Sequence, residues 1–216
     1  MNSDPLRAAH AASRRRFVLG LPLLAALPWA YGAAAATTPT PGQMLGPFYP
    51  LQPDAAAGND LTTVDGRARA LGTPLAIIGR VLDTAGRAQS GVLVEIWQTN
   101  AHGRYHHPQD DSPQPLDPNF RGYGRAITGS EGDYGFRTVM PVAYPGRTPH
   151  VHFRLSRGGR ELLVTQMYLP GAAGRQNQRD GLFMSVDAAA RARLVGVAQA
   201  DAPGTLRFDI VVAGGR

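Results

Sequence analysis

The feature that most constrains the fold is a series of short apolar or alternating runs, each bounded by glycine, proline or other turn-forming residues. Runs of strand length occupy residues 74–83, 92–98, 136–140, 150–157, 161–169 and 205–213. The 26 glycines and 18 prolines among 216 residues favour many short strands over long helices. Gly158 and Gly159 lie between two of the runs and predict a tight hairpin. The pattern predicts an all-β fold, a β-sandwich with long loops, and one short helix over residues 187–199, capped by Asp187.

The first 36 residues have the pattern of an export signal rather than of a folded domain. Arg14 and Arg15 precede an apolar run of about a dozen residues, which is followed by the small residues 33–36. This order predicts a signal peptide of the twin-arginine type, and therefore a periplasmic or secreted protein. A membrane-spanning helix needs about 20 apolar residues. The run is shorter and contains Pro22 and Pro28, so cleavage is expected rather than a stable membrane span.

The remaining chain divides into an irregular arm and one domain. Residues 37–73 predict a linker and an N-terminal arm laid over the core, and residues 74–216 predict the β-sandwich domain that carries the candidate site. The formal net charge is +6, of which residues 1–36 contribute +3 and the remainder +3. Because no basic stripe is present, no nucleic-acid partner is expected. The lack of cysteine excludes a disulfide framework and cysteine-ligated zinc. The sequence leaves a homo-oligomer open.

The strongest chemical motif is YPGRTPHVHF, residues 144–153, which holds three candidate metal ligands. His150 and His152 are two positions apart in a predicted strand, so both imidazoles project from one face. Pro145 and Gly146 predict a turn that brings Tyr144 back over that strand. A His-Val-His strand alone is also typical of an ordinary surface pattern, so the motif needs a further ligand to become specific.

A second segment, EIWQTNAHGRYHHPQD, supplies that ligand, because Tyr105 follows a predicted strand directly. Imidazole nitrogen together with phenolate oxygen suits a trivalent, oxygen-loving iron better than zinc, which prefers cysteine and histidine. A phenol has a pKa near ~10 in water, so it stays ionised at neutral pH only beside a strongly Lewis-acidic metal. The residue types therefore favour Fe(III).

These motifs together resemble the intradiol ring-cleavage dioxygenases, and most of all their protocatechuate 3,4-dioxygenase-like branch. The resemblance rests on GPFYP, EIWQTNAHGRYHHP, PLDPNFRGYGRAITGSEGDYGFRTVMPVAYPGRTPHVHF and TQMYLPG, and it extends from about Gly46 to the C-terminus. It implies an intradiol dioxygenase-like β-sandwich core that binds a catechol-type aromatic substrate and O2. The implied reaction opens the ring between its two hydroxyls and gives a cis,cis-muconate-type product.

The resemblance also assigns roles to individual residues. It implies that four side chains ligate a non-haem Fe(3+) ion, namely Tyr105, Tyr144, His150 and His152. Tyr144 matches the axial ligand that family members release when substrate binds. Arg147 matches the arginine that stabilises negative charge on the bound, ketonised substrate. Gln166 matches a glutamine near the ring, although a buried strand amide explains it equally well.

Two departures from the better-known members leave the substrate open. The stretch between Tyr144 and His150 is shorter than theirs, and Arg-Thr-Pro-His replaces Arg-Pro-Ala-His. The helical N-terminal domain of catechol 1,2-dioxygenases is also absent. Protocatechuate, plain catechol, hydroxyquinol and bulkier catechols therefore all remain candidates.

The other histidines and aromatics near the motifs are expected to play supporting parts. Three histidines are predicted to lie in loops or at the rim of the site, namely His102, His106 and His107. Trp97 and Phe153 are expected to pack around the site, and Tyr134 and Tyr168 are predicted as ordinary strand aromatics.

Two other functions remain open at this point. The segments GRVLDTAGRAQSGVLVEIW and GSEGDYGFRTV also resemble transthyretin-like or carboxypeptidase-regulatory-like domains, which are non-enzymatic β-sandwich modules. Such a module explains the strands but not four ligands in order. A zinc hydrolase using His150 and His152 would need a third nitrogen or carboxylate ligand, and no residue supplies one at a convincing spacing.

Overall fold

The computed structural model of the protein describes residues 38–64 and 68–213. The predicted signal peptide of residues 1–36 lies outside these residues, and export stays a prediction. Within the described part of the chain, no helix is both long enough and apolar enough to cross a membrane.

The described residues form nine strands and a few short helical turns, which confirms the predicted all-β fold. The strands are β1 (Pro74–Asp83), β2 (Leu93–Trp97), β3 (Tyr123–Ile127), β4 (Asp133–Val139), β5 (His150–Arg157), β6 (Arg160–Tyr168), β7 (Val197–Ala198), β8 (Thr205–Arg207) and β9 (Ile210–Val212). The helical turns are α1 (Gly181–Met184), α2 (Ala188–Arg191) and two 3-10 turns at Asn177–Arg179 and Ala192–Leu194. The predicted Gly158-Gly159 hairpin joins β5 to β6.

Two sheets pack face to face and enclose the core. One sheet has the order β4-β1-β8-β7, with β9 also paired to β1, and the other has the order β3-β2-β5-β6. Alternate residues of both inner faces fill the space between the sheets, among them Ile77, Ile96, Phe136, Phe153 and Ile210. Fully burying an apolar side chain of this size contributes about 1.5–3 kcal/mol, so this layer holds the two sheets together.

The last predicted strand, over residues 205–213, is interrupted and forms β8 and β9. Both pair in parallel with β1, but Phe208 and Asp209 between them leave the ladder. Phe208 turns into the core, where its carbonyl accepts the Tyr134 hydroxyl. Asp209 accepts the backbone N–H of Arg80 with its side chain at 2.9 Å. The Phe208 N–H also donates to the Ile78 carbonyl at 2.8 Å, so other hydrogen bonds replace part of the interrupted ladder.

The predicted helix over residues 187–199 is much shorter than expected. It comprises only α2 and the following 3-10 turn, so its length was predicted wrongly. Asp187 occupies the N-cap position, as predicted, but its side chain makes no capping hydrogen bond. Val195 is extended and bridges Tyr168 at the end of β6, and Gly196 donates to the Tyr168 carbonyl at 3.0 Å. Sheet pairing thus wins over the helical propensity of the alanine-rich stretch.

The N-terminal arm and β3 complete the outer side of the second sheet. Strand β3 was not predicted, because Gly124 gives its run a low strand propensity, yet it pairs with β2 over five residue positions. The arm follows the edge of β6, where Gln43 donates to the Val164 carbonyl at 2.8 Å and Thr165 donates to the Pro41 carbonyl at 2.7 Å. This path carries residues 44–49 across the sheet face that faces away from the core.

Candidate metal centre

Strand β5 presents His150 and His152 on the face of the second sheet that is turned away from the sandwich core. The intervening Val151 and the following Phe153 belong to the core cluster, so the alternation sends the two imidazoles to the opposite side. Both histidines are nevertheless only 2% exposed. They are buried because the N-terminal arm and neighbouring loops cover this face.

The two tyrosines reach the same point from two loops. Tyr105 follows β2 and is 2% exposed, and its backbone N–H donates to the carboxylate of Asp110 at 2.7 Å. Tyr144 begins a tight turn in which the Arg147 N–H donates to the Tyr144 carbonyl at 2.9 Å. Gly146 has a φ of 80° in this turn, which glycine adopts without steric cost. The structure thus contains the turn that Pro145 and Gly146 predict.

The polar ends of these side chains converge. The Nε2 atoms of His150 and His152 are 3.1 Å apart, and the Tyr105 hydroxyl lies 3.3 Å from Nε2 of His150. The Tyr144 ring centroid is 5.6 Å from that of Tyr105 and 5.8 Å from that of His150. All four predicted ligands are therefore brought together, although Tyr105 and His150 are 45 positions apart in the chain.

The arrangement fits a metal ion. A metal–imidazole bond is about 2.0–2.1 Å long in zinc sites. At bond angles of about 90–110°, two imidazole nitrogens on one metal ion therefore lie about 3–3.4 Å apart. The two Nε2 atoms are 3.1 Å apart, within that range. Nδ1 of His150 lies 2.7 Å from the Thr148 carbonyl, which can only accept, so Nδ1 carries the proton. Nε2 of His150 then presents its lone pair, as metal-ligating histidines do.

His152 is oriented by packing. Its ring stacks on Trp97 with centroids 4.7 Å apart and an interplanar angle of 11°. Gly46 of the arm covers the other side, where an added Cβ would lie 3.2 Å from the imidazole Cε1. Nδ1 of His152 is buried and has no hydrogen-bond partner among the described residues. Stacking and the close approach of the arm therefore hold this ring.

Burial keeps His150, His152 and Tyr105 uncharged in the absence of a cation. Burial, and then the positive charge of Arg147, lower the pKa of His150 to about 4. Burial, followed by His150 and Arg147, lowers the pKa of His152 well below its ordinary value. Burial, and then Tyr144, raise the pKa of Tyr105 well above its ordinary value. The imidazoles are thus neutral, as ligands must be, and ionising Tyr105 needs a compensating cation.

Arg147 lies beside the four residues and is itself enclosed. Its Nε donates to Asp180 at 2.8 Å, one terminal nitrogen donates to Gln166 at 2.5 Å, and the other lies 3.4 Å from the Tyr144 hydroxyl. Gln166 is fully buried and also donates to the Met44 carbonyl at 3.3 Å. The amide of Gln166 thus links the arm to the arginine, and it is both a buried strand amide and a neighbour of the site.

Asp180 and Tyr168 were not recognised from the sequence as parts of this site. Burial alone would raise the pKa of Asp180, but hydrogen bonds from Arg147, Thr148 and Phe183 outweigh it and hold the pKa below its ordinary value. Tyr168, predicted as an ordinary strand aromatic, donates to Gln43 at 3.2 Å and approaches Arg147 at 3.3 Å. Its position on β6 two residues after Gln166 was the available clue, because the two side chains share one face.

Two supporting residues differ from expectation. His107 is buried, with 7% exposure, and packs edge-on against Phe48 at a centroid distance of 5.8 Å, so its predicted rim position is wrong. Phe153 packs in the core on the opposite face of β5, not around the site. His106 is exposed, as predicted, and lines a separate cavity of about 420 Å³ with Tyr123.

A buried carboxylate fastens the arm next to the site. Glu95 is 3% exposed and accepts hydrogen bonds from Tyr49 at 2.9 Å, Tyr123 at 2.6 Å and Arg154 at 2.9 Å. Burial, and then the hydrogen bond and charge of Glu95, raise the pKa of Tyr49 to about 12. Tyr49 in turn packs edge-on against Trp97 at 4.9 Å. The carboxylate of Glu95 therefore holds the arm and does not belong to the candidate metal site.

Replacing Glu95 by alanine is expected to lower the free energy of unfolding by about 3 kcal/mol, because it leaves buried donors and a partly buried cation without their acceptor. Urea denaturation measures the change. Glu131→Ala is the matched control, since Glu131 is a largely exposed partner of Arg80 and such pairs contribute about 0–1 kcal/mol. Equal losses in the two variants would contradict the anchoring role of Glu95.

Comparison with known proteins gives a consistent set of matches. The family model described as Dioxygenase matches residues 44–214. The chain is 46% identical over 135 residues to the protocatechuate 3,4-dioxygenase beta chain of Burkholderia cepacia, which covers 58% of this chain and 56% of that protein. It is 31% identical over 216 residues to the 6-chlorohydroxyquinol 1,2-dioxygenase of Cupriavidus pinatubonensis, covering 90% of this chain and 71% of that protein.

A solved structure matches over a comparable extent. The dioxygenase domain of a dioxygenase carbohydrate-binding protein fusion from Streptomyces sp. SirexAA-E is 32% identical, with a TM-score of 0.64, and the match covers 82% of this chain and all of that domain. The chain spans about half the length of several curated relatives, including the Burkholderia cepacia beta chain.

Proposed function

The chain belongs to the intradiol dioxygenase family, and we propose that it opens catechol-type rings between their two hydroxylated carbons, using O2 and a non-haem Fe(III) ion. The observation that carries this proposal is the convergence of two imidazoles and two phenols beside the partly buried Arg147. The Nε2 atoms of His150 and His152 are 3.1 Å apart, and the Tyr105 hydroxyl is 3.3 Å from the first of them.

Tyr105, Tyr144, His150 and His152 would hold the iron. When bound, Fe(III) would supply the Lewis acidity that activates a catechol-type ring towards O2. Two phenols and two neutral imidazoles suit this ion, because the one phenolate that remains after Tyr144 leaves and a catechol dianion together carry the three negative charges that neutralise Fe(III). Among the described residues, no cluster of three or more His, Cys, Asp or Glu side chains could hold a metal, which disfavours the zinc-hydrolase alternative.

The chain's own residues would position the substrate and stabilise its charge. Arg147 directs its terminal nitrogens towards Tyr144 and Gln166, so its permanent charge lies where a ketonised substrate would develop negative charge. Tyr144 is more exposed than Tyr105, which suits a ligand that leaves when substrate binds and whose phenolate oxygen then takes up a substrate proton. The arm and Trp97 exclude water from the two histidines.

The substrate class follows from the relatives and from the open side of the site. The names of the matched relatives specify protocatechuate, catechol, hydroxyquinol and chlorinated analogues. Pro145 and Gly146 are exposed in this chain, so the short turn leaves one side of the site open to substituents. We therefore propose a catechol-type substrate that carries a further ring substituent.

The non-enzymatic transthyretin-like module is the second candidate. It accounts for the sandwich but gives no reason for two buried, neutral histidines whose Nε2 atoms face each other outside the core. Those two histidines, together with the fit to the family from residue 44 onwards, favour the enzyme.

Product analysis with labelled dioxygen tests the proposal. Iron-loaded protein given catechol or a substituted catechol is expected to be red-brown from phenolate-to-iron charge transfer. It should yield a cis,cis-muconate-type diacid that contains both atoms of the labelled O2. Tyr105→Phe is expected to shift or bleach the colour, because it removes one phenolate. A yellow semialdehyde would indicate cleavage beside the hydroxyls instead. No product from any catechol tested, despite full iron loading, would favour the binding module.

A further inference from the structure

We propose that Asp180 is the positioning residue for Arg147 and, through Thr148, for His150. This inference rests on the proposed function, because it assigns Asp180 a part in ring cleavage. It concerns a side chain on a segment that follows β6, remote in sequence from both ligand motifs. Asp180 and Arg147 are 33 positions apart in the chain.

The local turn does not fix the Arg147 guanidinium. Pro145 and Gly146 before it are exposed and offer no side-chain partner. Asp180 accepts the Nε–H of Arg147 at 2.8 Å, which occupies one edge of the planar guanidinium. The terminal nitrogens are therefore left facing Gln166 and Tyr144. Arg147 also lies 3.3 Å from the Tyr168 hydroxyl. Among these partners Asp180 is the only carboxylate, so it decides which edge of the arginine faces the site.

The same carboxylate oxygen also holds the backbone next to the histidine ligand. Oδ2 of Asp180 accepts the Thr148 N–H at 3.1 Å. The Thr148 carbonyl accepts Nδ1–H of His150 at 2.7 Å, the bond that selects the tautomer with a free Nε2. One oxygen atom thus orients the arginine and supports the peptide that orients a metal ligand.

Asp180 is itself rigidly placed. Its side chain is fully buried, and its other oxygen accepts the N–H groups of Leu182 and Phe183 at 3.0 and 3.1 Å, which caps α1. Asn177 adds a 3.1 Å hydrogen bond to the Thr148 hydroxyl. Because the carboxylate is held in place, its hydrogen bonds also fix the positions of the Arg147 guanidinium and the Thr148 N–H.

The Asp180→Asn variant distinguishes the positioning of Arg147 and Thr148 by Asp180 from its capping of α1. Asparagine caps helices as well as aspartate does, so its oxygen can remain on Leu182 and Phe183. Its NH2 group would then face the N–H groups of Arg147 and Thr148, where a donor meets donors. We expect kcat to fall by about 10- to 100-fold, since a displacement of about 1 Å in an active site can cost 10²-fold. We expect KM to change little. We expect iron affinity to fall by about 10- to 100-fold, because His150 loses support for its metal-binding tautomer, so kcat is compared on iron-saturated proteins.

Two comparisons tie the effect to Arg147. Asp187→Asn is the matched control, because Asp187 is exposed and makes no side-chain bond at the start of α2, and it should retain wild-type kcat. In a double-mutant cycle on iron-saturated proteins, Asp180→Asn added to Arg147→Ala is expected to cause no further loss of kcat, because the arginine that Asp180 positions is already gone. Independent, multiplicative losses would overturn the proposal.

A measurement without turnover separates this inference from the proposed function. In the iron-free protein, NMR hydrogen exchange of the Arg147 Nε–H is expected to be slow in the wild type and fast in Asp180→Asn, and His150 is expected to lose its uniform Nδ1–H tautomer. Slow exchange in both proteins would overturn the proposal even if catalysis is confirmed. If the wild-type protein is inactive on every catechol, the proposed ring-cleavage function is refuted. The NMR comparison would still test whether Asp180 positions Arg147. Asp180→Ser, which also caps α1, replaces Asp180→Asn if that variant does not fold.

Discussion

His150→Ala protein is expected to lose iron, colour and catechol turnover together, and His152→Ala should behave in the same way. Their Nε2 atoms are 3.1 Å apart, so each variant removes one of two adjacent nitrogen donors. Loss of a residue that only supports a metal ligand typically costs 10–100-fold in metal affinity or activity. Removal of the ligand itself is expected to cost more than about 100-fold on the same scale.

Metal analysis after purification and the visible absorption spectrum measure this prediction. His102→Ala is the matched control, because His102 lies in a half-exposed turn near β2, and it should keep wild-type iron and turnover. Circular dichroism checks that the variants are folded. Full iron content in His150→Ala or His152→Ala would contradict the proposed ligand set.

Arg147→Ala is expected to keep iron and colour but to lose about 10²- to 10³-fold in kcat, the cost of removing one group that stabilises developing negative charge. The substitution leaves all four proposed ligands in place. It also leaves the buried Asp180 without its cation, and breaking a buried ion pair costs about 3–5 kcal/mol of stability. The Arg147→Ala/Asp180→Asn protein removes that unpaired charge and serves as the folding control.

Arg179→Ala is the matched control for this prediction. Arg179 is exposed and lines the same cavity of about 220 Å³ as Arg147, so both substitutions remove one positive charge from that cavity. Steady-state kinetics on the iron-loaded proteins should show a loss in kcat for Arg147→Ala only. Equal losses would indicate a general field effect, and loss of iron in Arg147→Ala would indicate a role in metal binding rather than in charge stabilisation.

Local patterns predicted much of the fold because the formation of strands and turns depends largely on residues that are close together in the sequence. The run at 150–157 coincides with β5, and the run at 74–83 coincides with β1. The prediction failed where a distant partner decided the outcome. Residues 195–198 leave the predicted helix to pair with Tyr168 and β8. Strand β3 forms beside β2 although glycine weakens its own preference.

The candidate site likewise has features that the sequence predicted and features that only distant contacts decided. Residue type and spacing predicted that His150 and His152 share a face, that Tyr144 turns back towards them, and that Tyr105 joins them. They could not show which face, because an alternation of period two is the same whether the histidines point into the core or out of it. Burial of that outer face depends on the arm, whose Gly46 and Phe48 contact His152 and Tyr105.

The sequence by itself therefore determined the types of the candidate ligands, their local spacing, the β class of the fold and the family to which it is similar. Only the tertiary structure decided that Asp180 contacts Arg147, that His107 is buried and that Glu95 binds the arm beside Trp97. These contacts join residues on separate elements, and Asp180 lies 33 positions from Arg147. A short sequence pattern reflects the conformational preferences of residues that are neighbours along the chain. The hydrogen-bond partners of a buried carboxylate, in contrast, are set by the packing of sheets and loops that brings distant donors next to it.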